Sequence, residues 1–389
     1  MVGAGIYAII GEAAALGGNM LWLSFIIAAS IALLTGLSYA EFVSRFPDSG
    51  GSFEYIKQSL GSKAALVLSV LMIFTGIVAA AAIAISFASY LNRLLNIPSW
   101  IIVIAIIGLM ALFNIFGAKY SSHYNTVATI ITLLGLATII IVCIPEFGTT
   151  DLTNLTDFGW NGIFAGSALI FFSYVGFEDL VKMAEETKNA ERIMPKGVLL
   201  SGLAVLFIYV LIAISAVSVL DWNKLAQVDG PLAAVARTKL GTIGSTGLVI
   251  VALFATSKTI LSNILGTSRL LYDVARDSDI EWLKKFTTIS GIGNAPNYAI
   301  IAITIVAIGF GLLGNLKMVA SISNIFIFVV FALVNFSLLV FRYKNKGEKK
   351  APFHIPLNIK NIPVPTIFAL ITILFLFGYN IYNLTQGNL

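Results

Sequence analysis

Apolar residues run along this chain in long, nearly charge-free stretches separated by short polar connections. A helix needs about 20 such residues to cross a bilayer. Stretches of this kind fall near 1–16, 21–43, 64–92, 98–117, 124–145, 161–183, 197–220, 241–270, 296–314, 318–341 and 364–386. That predicts eleven helical segments, the first too short to span comfortably. The longest connections, 46–62, 184–196, 221–240, 271–295 and 342–363, leave no room for a separate domain. The pattern therefore predicts one all-α, polytopic membrane domain over residues 1–389.

Small or turn-prone residues interrupt two of these segments. Segment one opens Met1-Val2-Gly3-Ala4-Gly5-Ile6, and segment six carries Phe171-Phe172-Ser173-Tyr174-Val175-Gly176-Phe177, followed by Glu178-Asp179. Glycine costs about 1 kcal/mol relative to alanine inside a helix, so Gly3 and Gly5 mark a place to unwind. Paired interruptions at corresponding places of two halves point to inverted repeats with a binding site at the midplane. Here the halves are about 1–145 and 161–341, with an extra helix near 364–386. Five segments per half is an odd number, which reverses the second half. Free N–H groups at the start of the half-helix near Gly5 would suit a carboxylate. Free carbonyls near Phe172 would suit an ammonium, so a zwitterion fits between them. Such backbone groups must line a cavity, because lipid would not tolerate them. The plainer alternative is that the glycines only let helices pack closely.

Composition agrees with the pattern. Hydrophobic residues make up 58% of the 389 and charged residues 11%, which excludes soluble, disordered and disulfide-rich secreted classes. The net charge of +5 is read as loop lysine and arginine, not as a nucleic-acid surface. Eighteen cations, Arg342 among them, fall on one set of loops and five on the other. The first set is therefore the expected cytoplasmic face of a multi-pass cell-membrane protein, with the N-terminus toward the cytoplasm and the C-terminus outside. One cation, Lys258, is left inside an apolar segment. The single Cys143 and the isolated His123 and His354 offer no metal site, and no phosphate-binding glycine loop or other cofactor motif is present.

Five motifs in order resemble the amino acid–polyamine–organocation (APC) permeases. They are Gly3-Ala4-Gly5-Ile6-Tyr7, Ser38-Tyr39-Ala40-Glu41 with Phe46 to Tyr55, Phe171 to Glu178, Ala184 to Asn189 ending in Met194-Pro195, and Arg269 to Asp277. The resemblance implies a LeuT-type fold of ten core helices as 5+5 inverted repeats, with helices one and six unwound. It implies secondary transport of amino acids by alternating access, proton-coupled or by exchange. It also implies a site in which the amides around Gly3, Ala4, Gly5 and Ile6 hold the substrate carboxylate. The carbonyls of Phe172, Ser173 and Val175 would hold the amine, and Phe177 would close over it. Family members carry half a helix before the first motif, so the chain is expected to be truncated or to have its start upstream. Many members also have twelve helices rather than eleven.

Ionisable residues at membrane depth are the coupling candidates. Glu178 and Asp179 open the second half of segment six, where helix-dipole compensation is the ordinary reading. Glu12 lies two turns beyond the first interruption, at the mouth of a vestibule. Lys258 sits in Ala255-Thr256-Ser257-Lys258-Thr259, where sodium-coupled relatives of the fold place hydroxyls around a cation. Its ammonium could stand in for sodium or shuttle the proton, since an ammonium in apolar surroundings gives up its proton more readily than one in water. The alternative is a lysine that only reaches water or a helix-end carbonyl. Thr126, Thr129 and Thr132 read as packing hydroxyls, and Ser86, Phe87, Ser89 and Tyr90 as packing or pocket wall. With no acid in 64–92, a neutral amino acid is the favoured substrate. The competing classes are an ion channel, a transport-inactive truncated permease and, least favoured, a membrane enzyme built on Glu178-Asp179.

Overall fold

The computed structural model describes residues 2–47, 51–181, 184, 187–276, 278, 280–289, 295–345 and 351–386, the side chains of 118–120 and 179 excepted. Parts of the second, fourth and fifth motifs (48–50, 185–186 and Asp277), the Asp179 side chain and the basic run 346–350 therefore lie outside the described residues. The described chain is almost entirely helical: α1 Gly5–Gly17, α2 Leu21–Arg45, α3 Ser52–Leu60, α4 Ser62–Leu91, α5 Ser99–Ile115, α6 Ala118–Cys143, α7 Gly159–Ile170, α8 Phe177–Val181, α9 Ala190–Val219, α10 Trp222–Gln227, α11 Pro231–Arg276, α12 Asn297–Gly311, α13 Leu316–Lys344 and α14 Val364–Thr385. Among the described residues, seven stretches are long and apolar enough to cross a membrane, and α5 and α12 are shorter apolar helices. This is an all-α polytopic membrane protein.

The expected apolar segments become helices, most of them within a few residues of their bounds, although α6 begins six and α9 seven residues early and segment six is split into α7 and α8. Three α-helical pieces were not expected. Helix α3 is amphipathic, burying Tyr55 and Ile56 while leaving Lys57 in solvent. Helix α10 starts where the Asp221 side chain accepts from the Asn223 amide at 2.9 Å. Helix α11 begins ten residues before its apolar run and breaks at Gly241, where φ is +66°. Polar composition hid these pieces, since only a bilayer demands continuous apolarity.

The packing repeats itself at an interval of five apolar segments. Helix α1 packs on α7, α2 on α9, α4 on α11 and α5 on α12. The α4–α13 contact has its counterpart in α11–α6.

On the Lys/Arg-rich face, the connection into α14 is held by a buried ionic cluster. Glu41 of α2 is fully buried and accepts from Arg342 Nε at 2.8 Å and from the Ile355 amide at 3.0 Å. Arg342 Nη2 also pairs with Glu41 and with His354 Nδ1, and Nη1 donates to Asn358 Oδ1. Asn361 donates back to the Arg342 carbonyl at 2.6 Å. These bonds fix the short antiparallel pair Asn358–Ile359 and Ile362–Pro363 against α2 and α13. One turn deeper, Ser38 donates to Asn335 Oδ1 at 2.7 Å, and Asn335 donates to Thr35 at 3.0 Å. Arg342, expected in the loop that follows residue 341, instead lies in the last turn of α13 and is 4% exposed.

Candidate functional site

The two interruptions meet. Residues 2 and 3 precede helix, and α1 begins at Gly5 behind a cap residue, Ala4. In segment six, α7 ends at Ile170, residues 171–174 form one tight turn, and Val175 is extended. Gly176 follows at φ +135°, a conformation that L side chains rarely adopt, before α8 resumes at Phe177. The backbones touch at Gly5: a Cβ there would lie 2.5 Å from Ser173 Cα and 2.8 Å from Ser173 Oγ. Only glycine lets the first turn of α1 sit this close to the turn in segment six.

Polar groups beside this contact are left without partners. The hydroxyls of Tyr7, Ser173 and Tyr174 are buried and make no hydrogen bond. Such a group costs about 1–3 kcal/mol when unpaired. The Gly3 amide reaches the Tyr209 hydroxyl at a long 3.4 Å, and the Ala4 amide donates to Thr259 Oγ1 at 3.1 Å. Helix geometry leaves the next amides, those of Gly5 and Ile6, without partners inside α1.

Phe172, expected to offer its carbonyl, is buried in the turn. Phe177 packs between Tyr39, with ring centroids 5.2 Å apart, and Phe331, at 5.0 Å. Glu178 is 5% exposed, and its Oε2 accepts from the Gly176 amide at 2.8 Å, across the start of α8. Glu12 is half-buried and faces a cavity on the Lys/Arg-poor side.

Lys258 is 5% exposed, and both of its described partners are neutral oxygens. Its ammonium donates to the Val2 carbonyl at 2.9 Å and to Thr129 Oγ1 of α6 at 2.8 Å. It therefore ties the residue ahead of the α1 interruption to α6 and α11. The neighbouring hydroxyls serve their own helix instead. Thr256 donates to the Ala252 carbonyl at 2.7 Å and Ser257 to the Leu253 carbonyl at 2.6 Å, and Ser257 also meets the Tyr124 hydroxyl at 2.6 Å. Thr259, Thr129 and Tyr209 were not read as site residues in the sequence. Thr259 adjoins Lys258, which was the one available signal; Thr129 and Tyr209 are joined to their partners only by the fold.

Interrupted apolar helices whose broken ends meet in the interior, with unpaired polar groups beside them, are the construction of a membrane transporter core. A family model described as amino acid permease matches residues 1–388, and the chain belongs to that family. It is 26% identical to the branched-chain amino acid permease BcaP of Bacillus subtilis (strain 168), over 97% of this chain and 84% of that protein. It is 30% identical to cationic amino acid transporter 1 of Arabidopsis thaliana, over 90% of this chain but only 61% of the plant protein. A methylthioribose transporter of B. subtilis is 27% identical over 97% of this chain and 85% of its own length. The family and these relatives are transporters, not enzymes.

Proposed function

We propose that this chain moves a neutral amino acid across the cell membrane by alternating access. The observation that carries this reading is the contact of the two interruptions at Gly5 and Ser173, beside three unpaired buried hydroxyls. The substrate carboxylate is held by the first-turn amides of α1. Because Gly3 and Ala4 already donate to Tyr209 and Thr259, the amides of Gly5 and Ile6 take the larger share. The carbonyls of Phe172, Ser173 and Val175 receive the ammonium. A cationic side chain has no acid waiting at the contact, since Glu178 is turned to the Gly176 amide. The relatives' names span branched-chain and cationic amino acids and a sugar thioether, so they do not choose between substrates.

The repeated packing supports two inverted five-helix units, about 1–145 and 161–341. Cavities lie on both sides of the contact and are unequal. One of about 50 Å³, lined by Val175, Glu178 and Thr267, lies toward the Lys/Arg-rich face; another of about 550 Å³ lies toward the opposite one. The Lys/Arg-rich face is taken as cytoplasmic.

Lys258 acts as the coupling group, either shuttling the proton or holding the position of a sodium ion. Its bond to the Val2 carbonyl links its charge to the position of the α1 interruption. The test is uptake of a panel of labelled L-amino acids into proteoliposomes, with and without a pH gradient. The unsubstituted protein accumulates one or more neutral amino acids. Lys258→Met keeps substrate binding and loses the response to the gradient; a Lys258→Met protein with normal gradient-driven uptake removes the coupling role.

A further inference from the structure

Two adjoining chambers lead from the Lys/Arg-poor face toward the contact of the interruptions. The inner one holds about 120 Å³ and the outer about 550 Å³, and they share Glu12, Ser89, Asp229 and Leu316. The outer volume lies within the range of about 300–1,000 Å³ typical of small-molecule sites. The inner chamber reaches Tyr7, two residues beyond Gly5, so a solute in it stands within one helical turn of the break.

The walls are built and held. Segment 225–231 sits directly on α1, with the Pro231 ring and the Leu225 carbonyl against Gly11. Arg93 donates to the carbonyls of Asp229 and Gly230, which leaves the Asp229 carboxylate turned elsewhere; Ser89 donates to it at 3.3 Å. Glu12 on α1 and Lys317 on α13 face the outer chamber, and their opposite charges attract one another across it. The buried Tyr7 hydroxyl, which has no partner, belongs to the inner wall.

We propose that this pair of chambers is a second, outer binding site for a zwitterionic α-amino acid, with its ammonium on Glu12 and Asp229 and its carboxylate on Lys317. The charge pattern selects that class. A simple cation meets Lys317, and a simple anion meets two carboxylates, whereas a zwitterion satisfies both signs and replaces the Glu12–Lys317 attraction with two of its own. The inference rests on the transport reading, because the site is useful as a station on the way to the break. It also makes Glu12 a substrate-binding group rather than a coupling group.

The test places a reporter in the shared wall. Ser89→Cys is labelled with a charged, membrane-impermeant methanethiosulfonate; the native Cys143 is buried. The probes are L-leucine and L-lysine, and the background is Gly5→Val, which disrupts the central contact. Either amino acid slows labelling about threefold at twice its Kd, by the factor of one plus ligand over Kd. This protection survives in Gly5→Val and disappears when Glu12→Gln and Lys317→Gln are added. Absence of protection in the Gly5→Val background overturns the proposal, as does protection unchanged by the two charge substitutions. As a measurement independent of the reporter, labelled L-leucine binds the purified unsubstituted chain at two molecules per chain and the Glu12→Gln/Lys317→Gln protein at one. A single molecule per unsubstituted chain overturns the outer site. If neither probe is taken up by the unsubstituted protein although protection is seen, it is the transport reading that fails.

Discussion

Two of the buried polar centres among the described residues are built on opposite terms. Around Glu41 and Arg342 every charge has a partner: carboxylate, guanidinium, imidazole, two asparagines and a backbone amide close on one another. Around Gly5 and Ser173, by contrast, three hydroxyls have none. A satisfied cluster rigidifies its surroundings, whereas a partly satisfied one is a standing cost. The first centre ties α2 and α13 to the connection before α14 and asks for nothing further. The second is incomplete in the protein alone, and the proposed substrate, carrying both a donor and an acceptor, would complete it. The difference separates a strut from the proposed binding site although both are equally buried.

The largest effect is expected at the contact itself. Gly5→Val puts carbon within 2.5 Å of Ser173 Cα, so the two interruptions must separate. A displacement of that order costs about a hundredfold in a positioned reaction, and uptake should fall at least that far. The protein should still fold and elute as the unsubstituted chain does in size-exclusion chromatography. Gly5→Val with near-normal uptake would remove the break as the substrate site. At the other centre the sign is reversed. Arg342→Met leaves the buried Glu41 carboxylate without its guanidinium counter-charge, a loss of about 3–5 kcal/mol in stability. Unfolding titrations should show it, and Glu41→Leu/Arg342→Met should lie closer to the parent than either single substitution. If Arg342→Met unfolds like the parent, the cluster is not the strut described.

These two centres also divide what could be read from the sequence. The break was legible because helix continuity is local: Gly3, Gly5 and Gly176 advertise it, and the bilayer forces the flanking segments to be apolar helices. The strut was not. Arg342 precedes Tyr343 and Lys344 at the end of an apolar run, so it reads as a loop cation, and its partner Glu41 lies 301 positions away. The motif Ser38-Tyr39-Ala40-Glu41 marked the family without saying that Ser38 and Glu41 hold α13. The same limit hid Thr259 and Tyr209, whose partners Ala4 and Gly3 are 255 and 206 positions distant. Nor could the sequence say what holds Phe177, whose ring packs between Tyr39 and Phe331. Local spacing reveals where a helix stops; it does not reveal which distant group meets the open end.

The smallest expected effect is the sharpest test of the contrast, because stability and function should move in opposite directions. Ser173→Ala removes a hydroxyl that is buried and unpartnered in the protein alone. Folding loses nothing by this, and relief of the unpaired group should leave stability equal or about 1 kcal/mol higher. Substrate binding loses one hydrogen bond, about 1 kcal/mol, so the KM for uptake should rise about fivefold with the maximal rate changed less. At the strut the matching substitution, Ser38→Ala, removes a hydroxyl donating to Asn335. It should lower stability by a similar amount and leave KM alone. If Ser173→Ala loses stability at unchanged KM, its hydroxyl belongs to packing, and the two centres differ only in degree.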